Sequence, residues 1–441
     1  MKNDADGNNL PKRKTSRNGG ARSALLEGYS EPVRDALWGH VYLTPELAAV
    51  TASSAFMRLQ RIMQLGPAFM VYPGATHSRA SHSIGVYHLA RRLLAHLADE
   101  GAENWLTPVG VKSFLCAALL HDLGHFPYTH SLKELPLKDH EALTGELITS
   151  EPVKSLVAGA GADPCFSAAI VDTSLSNQEN GELVFYRKLL SGSLDPDKLD
   201  YLSRDARYCG IPYGVQDVDF ILSRLYPSQK RGVDIDSRGI PGVESLLFSK
   251  YLMYRTVYWH RMVRSATAMV KKALLGGLES GAVAAEELYN LDDQGLFTLA
   301  AQRNYPLFSL LESVRNGRLF SIAAEIPFDE SVHKALFSLS ARSRLEEDLA
   351  AEFSSVLGEA LAPCSLVIDL PEPITFDSGL FVVDENCVFG AGTSVFRENF
   401  VDSLVKSLRI IRVFIDADYG EKIKLNRERI LKISQKWLQY I

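Results

Sequence analysis

Cysteine is scarce in this chain and shows no pattern of close pairs. The 441 residues contain five cysteines, which are widely separated: Cys116, Cys165, Cys209, Cys364 and Cys387. A secreted scaffold held together by disulfides would need an even number at regular spacings. The cysteine content therefore excludes that class of protein and favours a reducing compartment.

An excess of positive charge and long apolar runs are also lacking. The formal net charge is −6, so no overall basic field attracts the chain to nucleic acid. Charged residues interrupt the apolar stretches too often for them to span a bilayer, and the N-terminus has no apolar core of a secretory signal. We therefore expect a soluble, cytoplasmic protein with no membrane partner, for which nucleic acid is not the main ligand.

Composition divides the chain into three regions. Residues 1–28 are polar and basic, which is typical of a flexible tail. Residues 29–285 show helical periodicity almost throughout, whereas residues 286–441 mix helical and strand-like patterns. We predict a mainly α fold, with a helical core and a smaller α+β C-terminal region. The basic residues of the tail are Lys12, Arg13, Lys14, Arg17 and Arg22.

Several segments have patterns clear enough to be assigned individually. One long helical segment closes the core region around Leu246 to Leu278. In the C-terminal region the helical segments lie around Glu286 to Leu311, Ser331 to Ala360 and Arg427 to Tyr440. The strand-like runs there are Cys364 to Leu370, Gly379 to Val383 and Ile410 to Asp416.

The pair His121-Asp122 follows an apolar helical run and offers two metal ligands from one turn of backbone. Taken alone, such a pair can equally be a helix-end histidine beside a capping carboxylate. His82 stands near the start of a second predicted helix and Asp197 in the first turn of a third. Asp197 alone can equally be a surface carboxylate that the helix dipole favours. The ordered set of two histidines and two aspartates favours a divalent metal site.

The start of the third helix is marked by its own residues. Pro196 suits the first turn of a helix, and Asp195 before it can accept a capping hydrogen bond. Asp200 lies one turn beyond Asp197 and shares roughly the same face.

With these motifs the chain resembles the HD-domain phosphohydrolases. Within them it is similar to the deoxynucleoside triphosphate triphosphohydrolases, a branch that includes bacterial dGTPase-like enzymes and a vertebrate dNTPase with a sterile-alpha-motif domain. Nothing in the matched region, about Asp35 to Arg264, resembles that extra domain. The resemblance rests on six ordered blocks: RDALWGHVYLTPEL, FMRLQRIMQLGPAFMVYPGATHSRASHSIG, ALLHDLGHFPYTHSL, DHEALTGELI, LDPDKLDYLSRDARYCGIPYG and MYRTVYWHRMVRSA.

The resemblance implies roles for the residues of the motif. It assigns the metal to His82, His121, Asp122 and Asp197, and the ion can be Mn, Fe, Mg or Zn. It assigns catalysis at the scissile phosphate to His125 and His140, and phosphate contact to His130. Histidine suits proton transfer because its pKa lies near neutrality. The alternative is that some of these imidazoles are buried hydrogen-bonding groups.

One position departs from the family pattern. An acidic residue usually stands three positions after His130, where this chain has Lys133. In the family this acid supports a catalytic histidine, and we assign that catalytic role to the neighbouring Glu134, with Glu141 as the alternative. A one-residue shift on a helix rotates a side chain by about 100°, so Glu134 need not point where the usual acid does. Three readings stay open: Glu134 is reoriented locally, Glu141 serves instead, or the proton relay is weakened.

The resemblance also implies substrate contacts. Gln64 and Leu65 match positions beside the deoxyribose, and Asp205 matches one that contacts the sugar. Arg79, Lys198 and Tyr201 match positions around the phosphates, with a structural ion pair as the alternative for the two cations. His260 and Arg264, one turn apart, are expected to face the pocket.

The leading hypothesis is a metal-dependent enzyme that converts a dNTP to a deoxynucleoside and inorganic triphosphate, by attack of water on the α-phosphorus. The alternatives are a phosphomonoesterase or phosphodiesterase acting on another nucleotide, and a weakly active nucleotide-binding regulator, which Lys133 motivates. Nucleic-acid binding through the basic tail is a further alternative. The resemblance of Asn399 to Tyr419 to the subunit contacts of bacterial relatives implies that the C-terminal region forms a homo-oligomer, such as a tetramer.

Overall fold

In a computed structural model, described for residues 20–175, 180–362, 364–376 and 379–439, helices dominate. The helices up to residue 279 are α1 (Ala21–Leu26), α2 (Pro45–Thr51), α3 (Ser54–Leu59), α4 (Arg79–Asp99), α5 (Pro108–Leu120), α6 (His140–Ile148), α7 (Val153–Gly159), α8 (Pro164–Val171), α9 (Gly181–Leu190), α10 (Pro196–Cys209), α11 (Val218–Leu222), α12 (Ile240–Met253) and α13 (Arg261–Glu279). The later ones are α14 (Ala285–Tyr289), α15 (Asp293–Gln302), α16 (Ser309–Arg315), α17 (Glu330–His333), α18 (Leu339–Leu357), α19 (Glu398–Leu408), α20 (Gly420–Leu425) and α21 (Arg427–Gln439).

The strands form three small sheets. They are β1 (Glu31–Asp35), β2 (Gly39–Leu43), β3 (Leu225–Ser228), β4 (Gly232–Ile235), β5 (Ser321–Pro327), β6 (Leu366–Asp369), β7 (Phe381–Val382), β8 (Cys387–Val388) and β9 (Ile410–Ile415). β1 and β2 make an antiparallel hairpin. The order in the second sheet is β3-β4-β7-β8, with β4 and β7 parallel. In the third, β9 lies between β5 and β6 and is antiparallel to both.

The centre of the helical core is α5, which packs against α4, α8 and α1. Its residues Phe114 to Leu120 are all buried, because the apolar run leaves no polar face. α4 packs between α5 and α10 through one apolar face that includes Val86, Leu89 and Leu93. These three helices carry the motif residues, so their packing brings the motifs together.

The mainly α fold with a smaller α+β C-terminal region is confirmed, and its details refine the prediction. The predicted helix Leu246 to Leu278 is interrupted by a π-helical turn, Tyr254–Tyr258, and α13 starts after His260. β5 and the hairpins β1-β2 and β3-β4 had not been predicted. Their strands are four to seven residues long, and each contains a proline or a glycine, which weakens the sequence pattern of a strand.

The N-terminal boundary needs a correction. The tail was predicted to reach residue 28, but α1 packs against α4 and α5 and buries Leu25 completely. Arg22 of the predicted basic cluster forms an ion pair with Asp99, with Nη2 and Oδ1 2.8 Å apart. The other four basic residues of that cluster lie outside the described residues, as does Tyr440.

A membrane-spanning helix would need a long stretch with few charges. Within the described part of the chain, no helix combines the length and the apolarity required to cross a bilayer.

Candidate active site

A cavity of about 590 Å³ opens where α4, α5, α10 and α13 meet. The candidate residues that line it are Gln64, Leu65, Arg79, His82, His121, Asp122, His130, His140, Asp197, Lys198, Tyr201, Asp205 and Arg264. His125 is fully buried behind this surface. Glu134 and His260 do not line the cavity.

Helix ends place the four candidate metal ligands. His121 caps the C-terminus of α5, and Asp122 follows it. His82 lies in the first turn of α4, where Ser78 caps the helix by accepting a hydrogen bond from the backbone N–H of Ser81. The predicted start of α10 is confirmed: Asp195 accepts from the N–H of Lys198, and Pro196 begins the helix.

The chain after α5 turns sharply because it runs against α6. Gly124 lies so close to that helix that a Cβ there would stand 2.3 Å from the carbonyl oxygen of His140 and 2.6 Å from the N–H nitrogen of Thr144. Because Gly124 has no side chain, this segment can pack closely against α6. That packing brings His121 and His140 to the same cavity.

The candidate ligand atoms converge. Nε2 of His82 lies 3.0 Å from Oδ1 of Asp197. Nε2 of His121 lies 4.0 Å from that same oxygen and 3.3 Å from Oδ1 of Asp122. The other oxygen of Asp122 accepts a hydrogen bond from Nη1 of Arg79 at 2.8 Å. The structure therefore brings together all four residues that the sequence analysis proposed as ligands.

Both imidazoles are oriented by their second nitrogen. Nδ1 of His121 lies 3.0 Å from the carbonyl oxygen of Ala118, and Nδ1 of His82 lies 2.8 Å from Oδ2 of Asp200. A carbonyl oxygen only accepts hydrogen bonds, so His121 donates through Nδ1 and its Nε2 is left as the lone-pair donor.

These residues fit a divalent ion. Nε2 of His121 is buried and has no hydrogen-bond partner among the described residues, which is costly unless something binds there. Nitrogen and carboxylate oxygen donors together suit Mn, Fe, Zn or Mg. His82, His121 and Asp122 offer ligand atoms within 4.8 Å of one another.

Asp200 belongs to a buried chain of charges that leads away from the site. Its carboxylate accepts hydrogen bonds from Nε and Nη2 of Arg204, at 2.8 and 2.9 Å, and from the indole Nε1 of Trp38, at 2.5 Å. Nη1 of Arg204 donates to Oδ2 of Asp35 in β1, at 2.9 Å.

These contacts shift the pKa of both partners. Burial opposes ionisation, but Arg204 and His82 lower the pKa of Asp200 to about 2. Hydrogen bonds to Asp197 and Asp200 outweigh the effect of burial and raise the pKa of His82 to about 10.

Three further imidazoles form a second cluster beside the first. Nε2 of His125 lies 3.1 Å from Nε2 of His130, and the ring centres of His125 and His140 are 4.0 Å apart. Nδ1 of His125 lies 3.2 Å from Oδ1 of Asp122, which links the two clusters. Burial lowers the pKa of His130 to about 3 and that of His140 to about 2, with further lowering by Arg79 and His130 respectively. Burial also lowers the pKa of His125. The three imidazoles are therefore neutral at pH 7.

Glu134 does not reach these histidines, so its assignment as the acid that supports a catalytic histidine needs correction. Its carboxylate lies 2.7 Å from Nζ of Lys271 and 3.0 Å from Nη2 of Arg342, on the far side of the short turn that carries it. Lys133 takes the position that faces the cavity. The acid beside the cluster is Glu141, whose Oε2 lies 3.0 Å from Nδ1 of His140.

The candidate sugar contacts lie together at one wall of the cavity. Asp205 is buried, and its two oxygens contact Nε2 of His77 at 2.8 Å and the hydroxyl of Tyr258 at 2.7 Å. Gln64 is held by its backbone N–H, which donates to the carbonyl oxygen of His77 at 3.0 Å. Within the part of the chain that the structure describes, the Oε1 atom of Gln64 is buried without a partner, which leaves it free to bind a ligand.

The candidate phosphate contacts lie nearer the metal ligands. Nε of Arg79 is buried and meets no partner in residues 20–175, 180–362, 364–376 or 379–439, although Nη1 is bound to Asp122. Nζ of Lys198 is paired with the carboxylate of Asp195 and donates to the carbonyl oxygen of Gly192 at 2.9 Å. Tyr201 follows Asp197 by one turn of α10 and lines the cavity.

His260 and Arg264 were expected to face the pocket; Arg264 lines the cavity, whereas His260 does not. His260 caps the start of α13, where its Nδ1 accepts from the N–H of Met262 at 3.3 Å, and its ring packs against Tyr72. Arg264 reaches the cavity, but its guanidinium is bound to two carboxylates, Asp369 and Glu372. Partners from so far along the chain were not visible in the local motif.

One buried cation was missed by the sequence analysis. Arg58 donates to the carbonyl oxygens of Leu123, His125 and Leu291, at 2.6, 2.5 and 3.1 Å. It thereby fixes the segment that follows His121-Asp122. The only sequence signal was its place in the block FMRLQRIMQLG, which gave no specific role.

Comparisons with known proteins identify the family to which this chain is similar. A family model described as HD domain matches residues 79–163, and one described as HD associated region matches residues 217–439, more than half of the chain. The uncharacterized protein YwfO of Bacillus subtilis is 35% identical over 254 residues, which cover 57% of this chain and 54% of that protein. Human deoxynucleoside triphosphate triphosphohydrolase SAMHD1 is 26% identical over 274 residues, which cover 55% of this chain and 44% of that protein.

A solved structure shows the same fold. The crystal structure of a phosphohydrolase from Bacteroides thetaiotaomicron matches with a TM-score of 0.67 and 24% sequence identity, covering 87% of this chain and 99% of that one. The chain spans about half the length of the curated relatives described above.

Proposed function

This chain belongs to the HD-domain phosphohydrolases that carry an HD associated region, and on that premise we propose that it hydrolyses dNTPs to a deoxynucleoside and inorganic triphosphate. Water attacks the α-phosphorus, the bond from phosphorus to the 5′ oxygen breaks, and a proton passes to the leaving deoxynucleoside. Homo-oligomer formation, as a tetramer or otherwise, is part of the same proposal.

One observation carries the proposal. A single cavity is lined by the four candidate metal ligands, by His130 and His140, by cations suited to phosphates, and by Gln64 and Asp205. The metal ligands alone suit many phosphate esters. Gln64, Tyr201 and Asp205 line the same cavity. Their presence favours a nucleotide substrate whose sugar these side chains contact.

The residues divide the chemistry among them. His82, His121, Asp122 and Asp197 would hold a divalent ion, which supplies, when bound, polarisation of a phosphoryl oxygen and a more acidic water. The guanidinium of Arg79 and the ammonium of Lys198 orient the triphosphate. His125 and His140 lie beside the candidate metal ligands, and burial lowers the pKa of both imidazoles. As neutral rings they can each donate one hydrogen bond and accept another, which orients the water and the phosphate. Glu141, whose Oε2 lies 3.0 Å from Nδ1 of His140, is the carboxylate placed to support that ring.

A product assay tests the proposal. Purified protein loaded with Mn²⁺ or Mg²⁺ is given all four dNTPs, and the products are separated by ion-pair chromatography. We expect deoxynucleoside and intact triphosphate, and neither product from the Asp122→Asn variant. Pyrophosphate or phosphate as the product would assign the protein to another class of phosphohydrolase. No product from a metal-loaded protein would favour a regulator.

A further inference from the structure

Lys133 stands at the edge of the cavity on a backbone that is held in place. It ends the short 3₁₀ turn Thr129–Leu132. The next residue, Glu134, anchors this turn from behind, because its carboxylate is bound by Lys271 and Arg342. The side chain of Lys133 is exposed and lines the cavity. The fold therefore fixes where the Lys133 side chain starts and leaves the rest of it accessible to a ligand.

The side chain of Lys133 shares one face of the turn with His130. Residues three apart in a 3₁₀ helix stand one above the other, and both of these residues line the cavity. Burial is the main cause of the low pKa values of His130 and His140, and the positive charges of Arg79 and Lys133 contribute to lowering both. The ammonium of Lys133 is thus within electrostatic reach of the imidazoles beside the candidate metal ligands.

Lys133 differs from the other cations of the cavity because no carboxylate neutralises it. Among the described residues that line the cavity, six are acidic and four are basic. Three of the basic side chains are bound to carboxylates: Arg79 to Asp122, Lys198 to Asp195, and Arg264 to Asp369 and Glu372. Within the described chain, no hydrogen bond or ion pair engages the ammonium of Lys133. Its three N–H donors are therefore available to a ligand.

A free ammonium in this position suits a phosphoryl group. It is a compact positive charge on a flexible stem, and the oxygens of a phosphate chain are negatively charged acceptors. A triphosphate brings several negative charges into a cavity where carboxylates outnumber cations, so an unpaired cation contributes directly to its binding. Arg79 and Lys133 belong to different elements, α4 and the turn that carries His130. Neighbouring phosphoryl groups can therefore contact both cations at once.

We propose that Lys133 is a further substrate-binding residue, whose ammonium donates hydrogen bonds to the phosphate chain and gives the site much of its affinity for a polyphosphate. This inference rests on the proposed function, because it takes a triphosphate as the ligand. The position that usually carries an acid then binds substrate in this chain, while Glu141 is the acid beside His140.

The test is isothermal titration calorimetry with inorganic triphosphate in excess Mg²⁺. We expect Lys133→Gln to weaken binding by about 10- to 100-fold, because a hydrogen bond between charged groups is lost. Lys133→Arg keeps the positive charge and should bind nearly as well as the wild type. Lys138→Gln is the matched control: it removes the same charge a few residues further on, but Lys138 pairs with Glu146 at the surface and does not line the cavity. The stoichiometry of each titration reports the folded fraction, so a misfolded variant is not mistaken for a weak binder.

The outcomes separate this inference from the proposed function. Equal affinity of the wild type and Lys133→Gln, or an equal loss in Lys138→Gln, overturns the role of Lys133. A Lys133→Arg variant that binds as weakly as Lys133→Gln also overturns it, because the charge would then not be what binds. Binding of inorganic triphosphate does not require turnover. If that binding depends on Lys133 but the protein hydrolyses no dNTP, the proposed function fails and Lys133 remains a polyphosphate-binding residue.

Discussion

Asp200 orients His82 without lining the cavity. We expect Asp200→Asn to weaken Mn²⁺ binding by about 10- to 100-fold, because partners of this kind fix the ring and raise the basicity of its free nitrogen. Calorimetric titration of Mn²⁺ into the folded variant measures the change. The control is Asp219→Asn, which removes an exposed ion pair with Arg92. An unchanged affinity in the folded Asp200 variant would mean that Asp200 only stabilises the fold.

Asp293 gives a prediction about pH. Burial raises its pKa to about 6, although it accepts a hydrogen bond from the N–H of Met63 at 2.9 Å. The pKa is higher in the folded than in the unfolded chain, so the stability that it contributes is complete below about pH 4 and is lost as pH rises through about 6. Asp293→Asn should therefore be more stable than the wild type at pH 7, by up to about 3 kcal/mol, and equal to it near pH 4. Urea unfolding at the two pH values measures this, and an equal difference at both would contradict it.

At single residues, the sequence was informative where a local motif sets the position. His82, His121, Asp122 and Asp197 each lie at a helix end marked by capping residues, so their convergence was predictable. Glu134 was assigned wrongly, because adjacent residues on a tight turn face opposite ways. The sequence did not show that Arg264 is held by Asp369 and Glu372, because these carboxylates lie more than 100 residues further along the chain.

At the scale of an element, α4 depends on one glycine. A Cβ on Gly85 would lie 1.9 Å from Oδ1 of Asp200 and 2.4 Å from Nη2 of Arg204. Alanine normally stabilises the interior of a helix relative to glycine. Here we expect Gly85→Ala to destabilise the protein by about 1–3 kcal/mol, the usual cost of overpacking, and to weaken metal binding. Thermal unfolding checks this against Gly159→Ala in α7, where no atom lies within 4 Å of the added Cβ. Equal stability of the two variants would contradict it.

The helices were more predictable than the strands for a physical reason. α5 and α10 have caps and a long apolar pattern, and both appeared where the sequence placed them. β1 and β3 pair within hairpins, and each contains a proline, which weakens the sequence pattern of a strand. The π-helical turn before α13 was also missed, because a single extra residue per turn hardly alters the apolar spacing.

At the scale of the whole molecule, metal binding should stabilise the fold. A ligand that binds only the folded state adds about 2.7 kcal/mol when its concentration is 100 times its Kd. We expect Mn²⁺ to raise the Tm of the protein and EDTA to reverse the rise. Differential scanning fluorimetry measures both, with Asp122→Asn as the variant whose Tm does not respond. If Mn²⁺ leaves the Tm of the wild-type protein unchanged, the four residues do not form a metal site.

The pairing of Asp35 with Arg204 sets an order of events during synthesis. These residues are 169 positions apart, and translation adds about 5–20 residues per second. The first hairpin therefore leaves the ribosome on the order of ten seconds before its partner exists. Until then Asp35 is exposed, α10 is incomplete and His82 lacks the carboxylate that orients it. The nascent protein consequently acquires its metal-binding geometry late, when its first strand and its tenth helix meet.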